Sequence, residues 1–281
     1  MSRRFPNTST RAFHALRVAN ATLSIVLFAA CAVSQQQEVA LGASTAAQVS
    51  AQLPLIHDAA VTSYISSLGK QLAKATDDRS LAWTFTVVDS KEVNAFALPG
   101  GWIYINRGLI ERATDMSQLA GAMAHEIGHV TRRHSVQQLQ QAQQANVGVT
   151  LLCTLTKVCE SGASQAAINI GGTALFARFS RTDESEADAE AVRTTVKAGI
   201  SPRGIPTLFR TLLSERQTDP GALTAFFATH PLEEDRIKAT EELIAQVPSR
   251  ELSRLTQDTK AFQDFRRRLQ SLPPSRALKG R

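Results

Sequence analysis

Residues 122–134 read AMAHEIGHVTRRH, and the H-E-x-x-H block within them constrains the chain more than any other stretch. On an α-helix, positions four apart lie one turn apart on the same face. His125 and His129 can then reach one ion, with Glu126 beside them where it can hold a water on that ion. A helix that merely carries two imidazoles satisfies the same five letters. The remaining sequence must therefore supply a third ligand and a fold around it.

Asp115 with Gln118 three residues on has the form of a capping box, and it opens the helix that carries the block. Leu119, Met123 and Ile127 form the core stripe of that helix. Upstream, Val61, Tyr64, Ile65, Leu68 and Leu72 follow a helical period from Asp58. WTFTVVD alternates like a strand, and NAFALPGGWIYINRG is strand-like on both sides of the Pro99-Gly100-Gly101 turn. A second long helix is expected from Asp183 to Lys197, ended by Gly199. AFQDFRRRLQSL reads as an amphipathic C-terminal helix, and PPSRALKGR as a loose tail. VGVTLLCTL is too short to span a membrane and suits a buried helix. No internal repeat is visible. With 281 residues, 43% of them hydrophobic, the chain can bury one substantial core. The expected fold class is α+β, mainly helical, with a small β-sheet beside the H-E-x-x-H helix.

The formal charge of +6 suggests a polyanionic partner, but four arginines and no acid lie in the first 31 residues. The rest is nearly balanced, which argues against nucleic acid. Those first residues have the layout of a secretory signal: a basic stretch to Arg17, the apolar run ATLSIVLFAA, then Cys31. LFAAC resembles a bacterial lipobox, so Cys31 is the expected lipidation site; ordinary cleavage without lipid is the alternative. Ala32 after the cysteine favours, by resemblance, the outer membrane. The expected organisation is a signal peptide over 1–31, a tether over 32–50, a catalytic domain over 51–250, and a C-terminal helix and tail over 251–281. In an oxidising compartment Cys153 and Cys159 form an even pair. Six residues apart on one straight helix they would face about 120° from each other, so a disulfide needs a turn between them. Two buried free thiols are the other reading.

For the third ligand, His134 lies nine residues from His125, about 180° around a continuous helix, and is expected at the surface or behind the ligands. SRTDESEADAEAV is the better source. Glu184 and Asp188 share one helical face, so one can bind metal while the other orients a histidine ring. Glu186 and Glu190 read as a solvated acidic helix start.

These motifs, in order NAFALPGGWIYINRGLI, LAGAMAHEIGHVTRRH, FSRTDESEADAEAV and THPLEEDRI, resemble the zinc metallopeptidases typified by the CAAX prenyl endopeptidases, particularly the family's periplasmic bacterial branch. The likeness covers residues 37–240. It implies a zincin-like domain holding one Zn2+ through His125, His129 and Glu184, with Asp188 supporting a histidine and Glu126 as general base. It also implies a periplasmic endopeptidase acting on unfolded or misassembled envelope polypeptides, tethered to the outer membrane and linked to its assembly machinery. Members that process prenylated proteins carry several membrane spans; none is expected here after the signal, nor is a helical-repeat domain. A chaperone-like binding lipoprotein with little proteolysis stands as the second reading. His230, placed before Pro231, is expected in an extended loop. It can serve as a fourth ligand in a resting enzyme, as an oxyanion donor, or as loop packing. Arg236 can hold that loop, polarise a carbonyl, or form a plain salt bridge.

Overall fold

The computed structural model describes residues 33–142, 178–231 and 234–275, and it opens with a helix where a tether is expected. Helix α1 (Gln35–Gln52) buries Glu38, Gly42 and Ala46. Its small residues suggest a linker by composition, yet they form its contact face. A β-carbon on Gly42 would lie 1.8 Å from the Pro99 carbonyl oxygen, so α1 rests directly on the turn at Pro99–Gly101. Ala46 packs with Val88, Leu98 and Tyr104, and the hydroxyls of Ser50 and Tyr104 share a hydrogen bond of 2.8 Å.

Helix α2 (Ala59–Thr76) starts where the Asp58 carboxylate accepts from the Val61 amide at 3.1 Å. Its buried face carries Val61, Ile65, Leu68 and Leu72 of the periodic set read from the sequence, and Tyr64 packs half-buried against the core. Strands β1 (Thr84–Val88), β2 (Ala95–Leu98) and β3 (Trp102–Asn106) form one sheet in the order β1-β3-β2. The tight β2–β3 turn uses left-handed φ of +79° at Gly100 and +107° at Gly101, conformations that only glycine adopts freely. That hairpin places β3 in the middle, antiparallel to β2 and parallel to β1.

After α3 (Arg107–Arg112), helix α4 (Met116–Thr131) carries the H-E-x-x-H block. Asp115 caps it by accepting from the Gln118 amide, as expected, but the Gln118 side chain accepts from the Thr114 amide rather than that of Asp115. Between Met116 and Val130 only Ala122 escapes full burial. The helix is walled by α2, β2, β3, α5 (Arg181–Lys197) and α6 (Gly204–Thr218), so a single apolar stripe understates its burial. Gly128 permits the close approach of α5: an added β-carbon would sit 3.1 Å from the Ala187 carbonyl oxygen. Helix α5 opens with a reciprocal Ser180–Asp183 capping box, and Gly199 at φ +75° follows its end.

Helices α7 (Pro220–Thr229), α8 (Glu234–Ala245), α9 (Ser249–Leu252) and α10 (Lys260–Ser271) complete the described chain. Phe262, Phe265 and Leu269 of α10 join the main core, and Phe265 stacks on Tyr64 of α2 with ring centroids 4.4 Å apart. The C-terminal helix is thus part of the same compact unit, which begins at Gln35. Among the described residues no helix is long and apolar enough to cross a membrane. The leader with Cys31, the VGVTLLCTL segment and the pair Cys153 and Cys159 lie outside the described residues.

Candidate metal centre

Two helices and the loop that ends a third bring four donors together. His125 and His129 project from α4, Glu184 from the first turns of α5, and His230 from the residue that ends α7. One ligand atom from each lies within 4.8 Å of the others. The Nε2 atoms of His125 and His129 are 3.0 Å apart. Glu184 Oε2 is 3.6 Å from the first, and Glu184 Oε1 is 3.4 Å from the second. His230 adopts the extended backbone that Pro231 imposes, φ −117° and ψ 90°, and turns inward. Its Nδ1 is 3.0 Å from Glu184 Oε1, and its Nε2 is 3.5 Å from Glu126 Oε1. All five side chains are buried.

The outer nitrogen of His125 lies against a carboxylate. His125 Nδ1 faces Asp188 Oδ1 at 2.9 Å, which leaves Nε2 to present its lone pair to the centre. Asp188 is gripped in turn by Arg236 of α8, through Nε to Oδ2 at 2.8 Å and Nη2 to Oδ1 at 2.7 Å. Arg236 Nη1 also donates to the Pro231 carbonyl at 2.8 Å and pairs with Glu184. The polar contacts of Arg236 thus go to Asp188, Glu184 and Pro231. Phe179 lies flat on His129, centroids 3.8 Å apart, and covers that ring. Its only sequence signal is its place immediately before the Ser180 cap.

Electrostatics sort these groups. Burial pushes Glu126 above the usual carboxylate range, against the pull of His230 and His125. Burial also drives His129 well below the ordinary imidazole value, keeping it neutral as a metal ligand must be. For Glu184 burial opposes the charge, but His230, His129 and His125 outweigh it and hold the carboxylate ionised. For His230 burial opposes protonation, and Glu126 and Glu184 overcome it and raise its pKa.

The residues fit a zinc ion. Two imidazole nitrogens 3.0 Å apart beside an ionised carboxylate can share one cation, and imidazole with carboxylate is a donor set that zinc favours. Glu126 Oε2 is buried without a hydrogen-bond partner among the described residues, the position that a general base beside such an ion requires.

One expectation is narrowed and one needs correcting. Of the two places open to His134, it takes the one behind the ligands rather than the surface, because α4 ends at Thr131 and Arg133 turns the chain with φ +61°. His134 is buried, with Nδ1 2.9 Å from His129 Nδ1. Glu190 is not solvated either: it is buried and bonded to Thr76, Arg132 and Arg193. Glu186 remains half exposed, as expected of a helix start.

Residues 59–244 match peptidase family M48. The chain belongs to that family of zinc metallopeptidases. A putative beta-barrel assembly-enhancing protease of Vibrio cholerae is 33% identical over 206 residues, 71% of this chain and 42% of the relative. The beta-barrel assembly-enhancing protease of Escherichia coli is 31% identical over 72% of this chain and 42% of its own length. Metalloprotease YcaL of Escherichia coli is 30% identical over 66% of this chain and 73% of its own. The M48 chain thus aligns with less than half the length of the beta-barrel assembly-enhancing proteases. The family match spans every donor of the cluster, from α4 to the loop at His230.

Proposed function

We propose that this chain is a zinc-dependent endopeptidase of the bacterial cell envelope that degrades misfolded or unassembled outer-membrane and periplasmic polypeptides. The observation that carries this reading is the buried Glu126 oxygen without a hydrogen-bond partner among the described residues, beside the donors His125, His129 and Glu184. When bound, zinc supplies a Lewis acid that acidifies water and polarises a carbonyl. Glu126, whose proton affinity burial has raised, takes a proton from the attacking water and passes it to the leaving amine. Asp188 fixes the ring of His125, and Arg236 fixes Asp188 and the His230 loop. Among the described residues strand β2 pairs with β3 alone, so its other edge can pair with an extended substrate backbone. Such pairing reads little side-chain information, which suits a mixed population of unfolded substrates.

Lipidation of Cys31 would tether the enzyme to the periplasmic face of the outer membrane, near the machinery that assembles outer-membrane proteins. His230 would act as the fourth donor of a resting state and swing away for catalysis, because a catalytic zinc needs an open position. The closure of the site also favours a second reading, a chaperone-like lipoprotein that binds such polypeptides with little proteolysis: every donor is at most 5% exposed. Digestion of casein or an unfolded outer-membrane protein separates the two, run with wild type and Glu126→Gln and with metal content measured in both. Cleavage by wild type alone, with equal zinc in both proteins, is the expected result. Full zinc loading without cleavage by wild type selects the binding protein.

A further inference from the structure

Among the described residues, the most deeply buried charged side chain without a part in the chemistry above is Glu38. It projects from the first turn of α1 with no exposure at all. Arg79 donates to both its oxygens from Nη1, at 3.1 and 2.9 Å, and the Gly100 amide donates at 3.3 Å. Arg133 donates from Nε to Oε2 at 2.8 Å. Arg79 also reaches the Val130 carbonyl from Nη2 at 2.8 Å, one residue past His129. One carboxylate thus joins α1, the β2–β3 turn and the end of α4.

Arg133 is where this junction touches the metal centre. Its φ of +61° is left-handed, a conformation that residues with a β-carbon avoid. The turn it makes ends α4 and brings His134 back onto His129; on an uninterrupted helix, five residues would separate the two rings by about 140°. Among the described residues, His134 Nε2 faces acceptors on α5, Glu186 Oε2 at 3.5 Å and Asp183 Oδ1 at 4.0 Å. Those carboxylates favour the proton on Nε2, which makes His134 Nδ1 an acceptor. His129 must then carry its own proton on Nδ1, 2.9 Å away, and present the lone pair of Nε2 to the centre.

We propose that Glu38 is a positioning residue: its ion pair with Arg133 holds the left-handed turn that seats His134 on His129, and this contact fixes the His129 tautomer that binds metal. Helix α1, which follows directly on the leader, is thereby part of the metal site's support. The inference rests on His129 as a metal ligand.

The test uses the full chain in four forms: wild type, Glu38→Gln, His134→Ala and the double variant Glu38→Gln, Arg133→Gly. Imidazole 15N–1H correlation spectra of the metal-free proteins report the His129 tautomer, and competition with a chromogenic chelator reports zinc affinity. Wild-type His129 should carry its proton on Nδ1. Glu38→Gln and His134→Ala should each give mixed tautomers and bind zinc about tenfold more weakly, the lower end of what outer supports of metal ligands contribute. Glycine enters the left-handed region freely, so Arg133→Gly added to Glu38→Gln should restore both readouts. A Glu38→Gln protein with the wild-type tautomer and wild-type zinc affinity overturns the proposal, as does a double variant that stays as weak as the single one. A tautomer effect in a protein that takes up no zinc would instead remove the metal-centre reading and leave the positioning role standing.

Discussion

Glu184 and Glu186 sit two positions apart on α5 and differ in what metal binding requires. Glu184 has no exposure and is held ionised by three imidazoles, whereas the Glu186 carboxylate is half exposed and 3.5 Å from His134. Glu184→Ala should therefore empty the site, and Glu186→Ala should keep its zinc; elemental analysis of the purified variants decides it, and equal loss in both would refute the assignment. His230 is a sharper case because its readings predict opposite signs. Its Nδ1 is 3.0 Å from a ligand oxygen, close enough to complete a four-donor set. As the closing donor of a resting state it should slow the enzyme, so His230→Ala is expected to raise the rate on an unstructured peptide. As an oxyanion donor its loss would lower the rate about a hundredfold. Stopped-flow cleavage of a fluorogenic unfolded substrate reads the sign directly.

At the scale of elements, the seam between α4 and α5 carries both the site and much of the packing. Gly128 lets the helices approach, and just beyond it Glu190 ties α5 to the end of α4 through Arg132 and to α2 through Thr76. Burial opposes the Glu190 charge, but Arg193, Thr76 and Arg132 outweigh it and hold its pKa below the ordinary value. A carboxylate depressed on folding stabilises the native state above its unfolded pKa of 4.5, and that stability fades as pH falls through the lower, folded pKa. Glu190→Gln should consequently lower the melting temperature at pH 7 and narrow its difference from wild type as the pH drops into that acidic range. Thermal unfolding followed by circular dichroism across pH 3 to 7 checks it (an order-of-magnitude window, roughly one unit or more either side of a carboxylate's pKa). A gap that stays constant with pH would show that the seam does not depend on this charge.

For the whole molecule the open question is where it is held. The leader layout and LFAAC give one concrete expectation: Cys31→Ser should yield a protein without acyl mass that leaves the membrane fraction. Mass spectrometry of the mature N-terminus settles it, and a wild-type chain that begins at another residue, or carries no lipid, removes the tether. Helix α1 begins only a few residues after Cys31 and packs on the sheet, so a lipidated chain would hold its catalytic unit close to the membrane surface rather than on a long leash.

Local sequence was enough to find the H-E-x-x-H helix, the strands on either side of Pro99-Gly100-Gly101, the α5 helix with its Gly199 stop and the extended backbone at His230. Helical period, strand alternation, caps and the residue before proline act over a few positions and need no distant partner. The choice of Glu184 over Asp188 as ligand came from the family likeness, since both lie on one face and spacing alone leaves them equivalent. Other features depended on contacts between residues far apart in the chain. The stretch after residue 34 became a helix because its small residues meet the β2–β3 turn, and composition does not reveal that surface. His134 sits behind His129 rather than at the surface, two places the sequence left open, because Arg133 takes a left-handed φ beside Glu38, a carboxylate 95 residues away in sequence. Glu190 became buried because α2 and α4 supplied a hydroxyl and a guanidinium for it. In each case the deciding energy is a long-range contact, which exists only once the chain has folded.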